Sequence, residues 1–103
     1  MKKFYVYVMS CKSNSAIYIG MTSNLEKRVF QHKNPELFEG LVPSFSRKYK
    51  CTKLIYFETS NDFKSAEARE TQLKGWNRTK KLNLIFQQNP NLEDLAFGWN
   101  GQD

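Results

Sequence analysis

Ala16-Ile17-Tyr18-Ile19-Gly20-Met21-Thr22-Ser23-Asn24-Leu25-Glu26-Lys27-Arg28-Val29-Phe30-Gln31-His32 reads as a strand, a turn and a helix in immediate succession. Ile17, Tyr18 and Ile19 are β-branched or aromatic, and Gly20 permits a backbone bend. Ser23 or Asn24 can cap a helix that begins near Leu25. On that helix Arg28 and His32 stand four residues apart and share a face beside the Leu25/Val29 apolar stripe. A phenol, a glycine, a guanidinium and an imidazole therefore converge, a group that a plain core does not require.

Working outward toward the N-terminus, Phe4 to Met9 is almost entirely aromatic or β-branched, which predicts a strand covered on both faces. Cys11 to Ser15 is polar and rich in turn formers, so the two strands, 4–9 and 16–21, form an antiparallel hairpin. Tyr7 and Tyr18 then lie near each other. Each is readable as a core aromatic with a solvated hydroxyl or as a reactive phenol.

Toward the C-terminus, Asn34-Pro35 ends the helical pattern, and no period is legible through Tyr49. Within this long connection Ser44-Phe45-Ser46-Arg47-Lys48-Tyr49-Lys50 interleaves three cations with two aromatics and two hydroxyls. That composition suits either a solvated loop or contact with phosphates and unstacked bases. Leu54-Ile55-Tyr56-Phe57 is a third strand, and Glu58 to Asp62 offers caps for a helix from about Phe63. At about 100° per residue, Phe63, Ala66, Glu70 and Leu73 fall in one arc with Glu67 and Lys74 beside them. A carboxylate thus stands where a hydrophobe is expected: it either pairs with Lys74 at i,i+4 or faces a cleft, available to a hard cation. Gly75 breaks this helix and Asn77 can cap the next, whose apolar face is Leu82, Ile85 and Phe86. Asn89-Pro90 stops it, and Leu92, Leu95, Phe97 and Trp99 are the expected packing anchors of the tail.

The chain has 103 residues, enough for one domain with a modest core, and the expected limits are a core of about residues 4–95 and a tail of 96–103. The element order fits an α+β layer arrangement, a small three-stranded antiparallel sheet flanked by helices. Lys and Arg number 16 against 10 Asp and Glu, a net charge of +6, with 15% aromatic residues; this favours contact with nucleic acid. Two scattered Cys and one His supply neither a disulfide framework nor a usual zinc site. No run approaches about 18 apolar residues, and the N-terminal run lacks a cleavage site, so a reduced, cytoplasmic protein with no membrane contact is expected.

The residues so gathered, Tyr5-Val6-Tyr7, Tyr18-Ile19-Gly20, Arg28 and Glu70, resemble the GIY-YIG nuclease domain, in particular its small stand-alone bacterial, excinuclease-C-like members. The likeness runs from about Phe4 to Leu95 and includes Lys48-Tyr49, Arg69-Glu70, Leu73-Lys74-Gly75-Trp76 and Asn89-Pro90. It implies a metal-dependent endonuclease that hydrolyses DNA phosphodiester bonds in repair or recombination. RNA is not excluded as substrate, and there is room for a protein partner that supplies specificity. A nucleic-acid-binding module of the same fold with little turnover is the alternative.

By that resemblance Tyr7 and Tyr18 match the motif tyrosines and Arg28 the phosphate-binding arginine. His32 matches a position filled by Tyr or His, and Glu70 the carboxylate that holds Mg²⁺ or Mn²⁺. Tyr5 replaces the first Gly of the triplet, and Met21 stands where excision-repair members often carry Lys. Hydrolysis needs an oriented water, charge stabilisation at phosphorus and charge relief on the leaving oxygen. Tyr18, Arg28 and the metal on Glu70 are the expected providers. A phenol with pKa near ~10 serves as a base only if neighbouring cations depress it. Arg47, Lys48 and Lys50, with Lys74, Lys80 and Lys81 farther on, are the candidate phosphate contacts.

Overall fold

The computed structural model describes residues 2–99. β1 (Phe4–Ser10) is the central strand, with β2 (Ile17–Thr22) on one side and β3 (Lys53–Ser60) on the other, both antiparallel to it. The alternation of β1 divides the sheet into two faces. Val6 and Val8 point to one, where Ile19, Ile55, Tyr56, Ala66, Leu73 and Ile85 complete a core. Tyr7 and Met9 point to the other, where they meet Leu25, Val29, Cys51, Leu54 and Ala96. Val8 pairs with Tyr56 but Met9 with Leu54, so Ile55 is an extra residue in β3. This bulge lets Ile55 and Tyr56 both join the first core while Leu54 serves the second.

Three asparagine or aspartate caps start the longer helices. Asn24 accepts the Lys27 N–H at 3.1 Å to open α1 (Leu25–Lys33). After a 3₁₀ turn at Pro35–Leu37 comes the short α2 (Ser44–Lys48). Asp62 accepts from Ser65 at 2.8 Å to open α3 (Phe63–Lys74), and Asn77 from Lys80 at 2.9 Å to open α4 (Arg78–Gln88). Leu73 of α3 and Ile85 of α4 enter the first core, and Leu25 and Val29 of α1 enter the second, so helices cover both faces of the sheet. The α+β reading of the sequence describes this architecture.

The expected boundaries differ in several places. The connection 34–49 is not irregular throughout: it contains the 3₁₀ turn and α2, too short to leave a legible apolar period. β3 extends through Ser60 instead of ending at Phe57, since Glu58, Thr59 and Ser60 pair with Val6, Tyr5 and Phe4. Phe63 is half in solvent, its ring edge-on to Phe4 at 5.9 Å, and Phe86 is also exposed while Leu84 packs inward.

In the tail Ala96 is buried and Phe97 is 89% exposed, the reverse of the expected anchoring. Leu92, Leu95 and Trp99 do pack against the two cores. The tail is pinned by Asn89, whose amide donates to the Ile55 and Glu93 carbonyls at 3.0 and 2.8 Å, and by Asp94, which accepts from the Leu54 N–H at 3.1 Å. Residues 100–103 of the expected tail lie outside the described residues.

Candidate active site

Tyr7 faces Gly20 across the β1–β2 ladder, and Tyr18 lies two residues from Gly20 on the same face. The missing side chain at Gly20 is what lets the phenols close over it. A Cβ there would lie 2.7 Å from Tyr7 Oη and 2.9 Å from Tyr18 Cε2, closer than non-bonded atoms approach. The ring centroids of Tyr7 and Tyr18 are 6.3 Å apart, and His32 fits against both, at 5.5 and 5.4 Å.

The i,i+4 spacing of Arg28 and His32 on α1 delivers both side chains to Tyr7, as the sequence pattern anticipates. Arg28 Nε donates to Tyr7 Oη at 3.3 Å, and Tyr7 Oη lies 2.9 Å from His32 Nε2. His32 Nδ1 is 2.9 Å from Ser46 Oγ, which donates to the Cys51 carbonyl at 3.4 Å. These partners assign one continuous direction: Arg28 N–H to Tyr7, Tyr7 O–H to Nε2, Nδ1–H to Ser46, Ser46 O–H to Cys51. The imidazole is thereby a neutral Nδ1–H tautomer. Arg28 Nη1 donates to Gln31 Oε1 at 2.8 Å and to the Leu41 carbonyl at 2.9 Å, while Nη2 makes no hydrogen bond among the described residues.

Burial dominates the ionisation of this group. It pushes the His32 pKa down to about 4, assisted by the charge of Arg28. The same desolvation raises Tyr7 well above the ordinary phenol range, outweighing the hydrogen bond and charge of Arg28 that act to lower it. The charge of Arg28 therefore does not make Tyr7 a base at neutral pH. Its proton rests on oxygen at neutral pH, and the Tyr7–His32 pair orients its neighbours in uncharged form. Tyr18 is half-buried, and its hydroxyl makes no hydrogen bond among the described residues, so it is the phenol left free for a ligand or water.

Glu70 stands on α3 and makes no hydrogen bond to Tyr7, Tyr18, Arg28 or His32; its negative charge acts from a distance, as the smallest of the causes, to raise the Tyr7 pKa. Its side chain is 18% exposed and pairs with Lys74 at 3.1 Å, Lys74 itself being 52% exposed. The ion pair that the sequence offered as the alternative is thus present. Its partner is a solvated lysine at the surface, free to leave at little cost. Among the described residues no three of His, Cys, Asp and Glu converge on one point. A lone carboxylate of this kind suits a hard cation that retains most of its waters, as Mg²⁺ does, and does not suit a protein-caged metal.

The expected phosphate contacts are dispersed. Arg47 lines a groove with Pro35, Glu36 and Glu39, facing acidic residues. Lys48 lies over the Tyr49 ring at 5.3 Å, and Lys50 follows at φ 55°, a left-handed turn. Lys80 covers the Trp76 indole at 4.5 Å, and the half-buried Lys81 lines a small apolar cavity with Val8 and Ile17.

Sequence reasoning missed Lys27 and Gln31, which with Met21, Thr22 and Arg28 line an open groove of about 480 Å³. The position of Gln31 on α1, three residues after Arg28 and four after Lys27, could have revealed them. It also missed the link of Ser46 to His32, fourteen residues apart through an irregular segment, for which the sequence carries no signal.

A pair of motif tyrosines closed over a glycine, with an arginine and an imidazole from the following helix, defines a class. The model of the GIY-YIG catalytic domain matches residues 3–83, and the chain belongs to the GIY-YIG family. Within it the chain is similar to the UPF0213 proteins. It is 40% identical over 81 residues to the UPF0213 protein of Clostridium perfringens, covering 79% of this chain and 81% of that one. It is 33% identical over 90 residues to the UPF0213 protein of Syntrophus aciditrophicus, covering 87% and 97%. The solution NMR structure of a UPF0213 protein from Bacillus halodurans shares the fold, with a TM-score of 0.54 over 93% of this chain and 97% of that one at 21% identity.

Proposed function

We propose that this protein is a metal-dependent endonuclease that hydrolyses DNA phosphodiester bonds and acts in DNA repair or recombination. The observation that carries the reading is the saturated chain Arg28–Tyr7–His32–Ser46, which leaves two groups unspent at its open end, Arg28 Nη2 and the Tyr18 hydroxyl. A polar chain buried this deeply is costly to build, and at Arg28 it meets an open groove.

Mg²⁺ or Mn²⁺ held by Glu70 would relieve charge on the leaving oxygen. Arg28 binds the nonbridging phosphate oxygens, with Nη1 anchored on Gln31 and Leu41 and Nη2 directed at the ligand. Tyr18 orients the attacking water. Tyr7 fixes the guanidinium from below by accepting from Nε, and His32 holds the Tyr7 proton on the side away from Arg28. Lys27, on the wall of the same groove, adds positive charge along the path of the strand.

The Glu70–Lys74 pair favours a second reading, a DNA-binding module without turnover. A nicking assay on supercoiled plasmid separates the two. Cleavage that appears with Mg²⁺ or Mn²⁺ and vanishes with EDTA supports the endonuclease. Binding that is indifferent to EDTA, with no nicking under either metal, overturns it.

A further inference from the structure

The short helix α2 has two uses. Ser46 is turned inward, 2% exposed, and holds His32, whereas Phe45 and Tyr49 on its outer side are 38% and 48% exposed. Their rings form an edge-to-face pair with centroids 4.8 Å apart. Across from them stand Ser15, Ala16 and Ile17 at the end of the β1–β2 hairpin and Arg78 from α4, and the space between is a groove of about 570 Å³. Arg78 is locked there by donating to the Asn14 and Ser15 carbonyls. Lys48 Nζ lies 5.3 Å from the Tyr49 ring centroid.

We propose that this groove binds an unpaired nucleobase of the single-stranded DNA that the site of Arg28 and Tyr18 would cut. The inference rests on the endonuclease reading and names its substrate as DNA with an unpaired strand.

Charge and composition select the occupant. The groove walls hold two aromatic rings and an arginine but no carboxylate, with Lys48 at the rim. Aromatic faces flanked by cations are what successive bases and phosphates of a single strand require. A duplex keeps its base faces stacked inside and offers none to Phe45 or Tyr49. The groove and the candidate site are built on the same two elements: Ile17 precedes Tyr18 on β2, and Phe45 precedes the Ser46 that holds His32.

The test is fluorescence anisotropy in EDTA with a short single-stranded DNA, the same sequence as a duplex, and the same sequence as RNA. The proteins are the wild type, Tyr49→Leu and the double variant Phe45→Leu/Tyr49→Leu, in which leucine keeps apolar bulk but removes the ring face. The double variant should bind single-stranded DNA roughly tenfold more weakly and the duplex unchanged. An equal loss on both DNAs, or none on either, overturns the proposal, and tighter binding of the RNA overturns the choice of DNA. Wild-type protein titrated with oligonucleotides that carry one abasic position serves as the check should the double variant not fold. One abasic position should reproduce the loss, and a flat scan refutes the site. Nicking with Mg²⁺ on the same preparations is read separately: its absence would sink the endonuclease while leaving the binding result standing.

Discussion

On one face of the sheet Val6, Ile55 and Leu73, each at most 1% exposed, meet apolar atoms; on the other Tyr7, His32 and Ser46 are buried to within 2% and meet one another through hydrogen bonds. The same β1 strand serves both, one residue out of phase. Equal burial therefore supports opposite chemistry. The apolar face holds the fold by area removed from water. The polar face is tolerated because, among the described residues, no buried side-chain nitrogen or oxygen lacks a partner. Its stability depends on protonation and hydrogen-bond direction, to which the apolar face is indifferent.

The sharpest way to break this contrast uses two neighbours on α3. Leu73→Ala should cost about 2–5 kcal/mol of folding stability by opening a cavity, yet leave cleavage per folded molecule unchanged. Glu70→Gln should do the inverse: Mg²⁺-dependent nicking falls by about 3 kcal/mol or more of transition-state stabilisation, while the loss of an i,i+4 pair whose lysine is solvated changes stability by at most about 0.5 kcal/mol. Urea unfolding and plasmid nicking on the same preparations measure both. Normal nicking by Glu70→Gln would remove the metal assignment.

Acid sharpens the comparison next. His32 is the chain's one histidine, and its folded pKa of about 4 lies below the ordinary value of 6.5. The unfolded chain binds the proton first, so stability is complete above about pH 6.5 and is lost as pH falls toward about 4. At about pH 5 the loss should be about 2 kcal/mol relative to neutral pH. Asp94, held low by Lys33 and by the backbone N–H groups of Ala96 and Leu54 against desolvation, adds its own loss only at lower pH. His32→Gln should flatten the curve between pH 7 and 5, and an unchanged curve would place the sensitivity elsewhere.

Arg28→Lys comes third, because lysine keeps the charge and loses the fork that spans Tyr7, Gln31 and Leu41. Nicking should fall roughly tenfold, about 1.4 kcal/mol, with a melting temperature nearly unchanged. A matching loss of stability would make Arg28 a structural clamp.

What the sequence could reveal follows the range of its signals. The strands of the hairpin, the caps at Asn24, Asp62 and Asn77, and the pairing of Arg28 with His32 are local patterns, legible within a few residues. Gly20 was read as a bend, yet it lies within β2, and its real use, making room for Tyr7 Oη and Tyr18, needs the cross-strand register. α2 was missed because five residues carry no period, and with it the division of Ser46 from Phe45 and Tyr49. Phe97 and Ala96 exchanged expected places because hydrophobicity alone ignores the tight turn in which small Ala96 is the residue that fits beneath the sheet.

The smallest effect, and the most diagnostic, is expected from Ser46→Ala. The hydroxyl accepts from His32 Nδ1–H and donates to the Cys51 carbonyl, so its removal would strand a buried donor if nothing else changed. The imidazole has an escape. With Nδ1 unsupported, its proton moves to Nε2 and donates to Tyr7 Oη, 2.9 Å away. The stranded donor is then the Tyr7 hydroxyl in place of the imidazole, at a cost of about 1 kcal/mol, the low end of the range for an unpaired buried group. Tyr7, however, loses the acceptor of its own proton and with it the fixed orientation that holds Arg28 Nε. Cleavage should therefore fall more than stability does, and Ser46→Thr should restore it. Nitrogen NMR of the single imidazole reads the cause directly: protonated Nδ1 in the wild type and protonated Nε2 in Ser46→Ala. The same tautomer in both proteins would show that Ser46 does not set the direction of the chain, and the polar face would then owe its order to Arg28 alone.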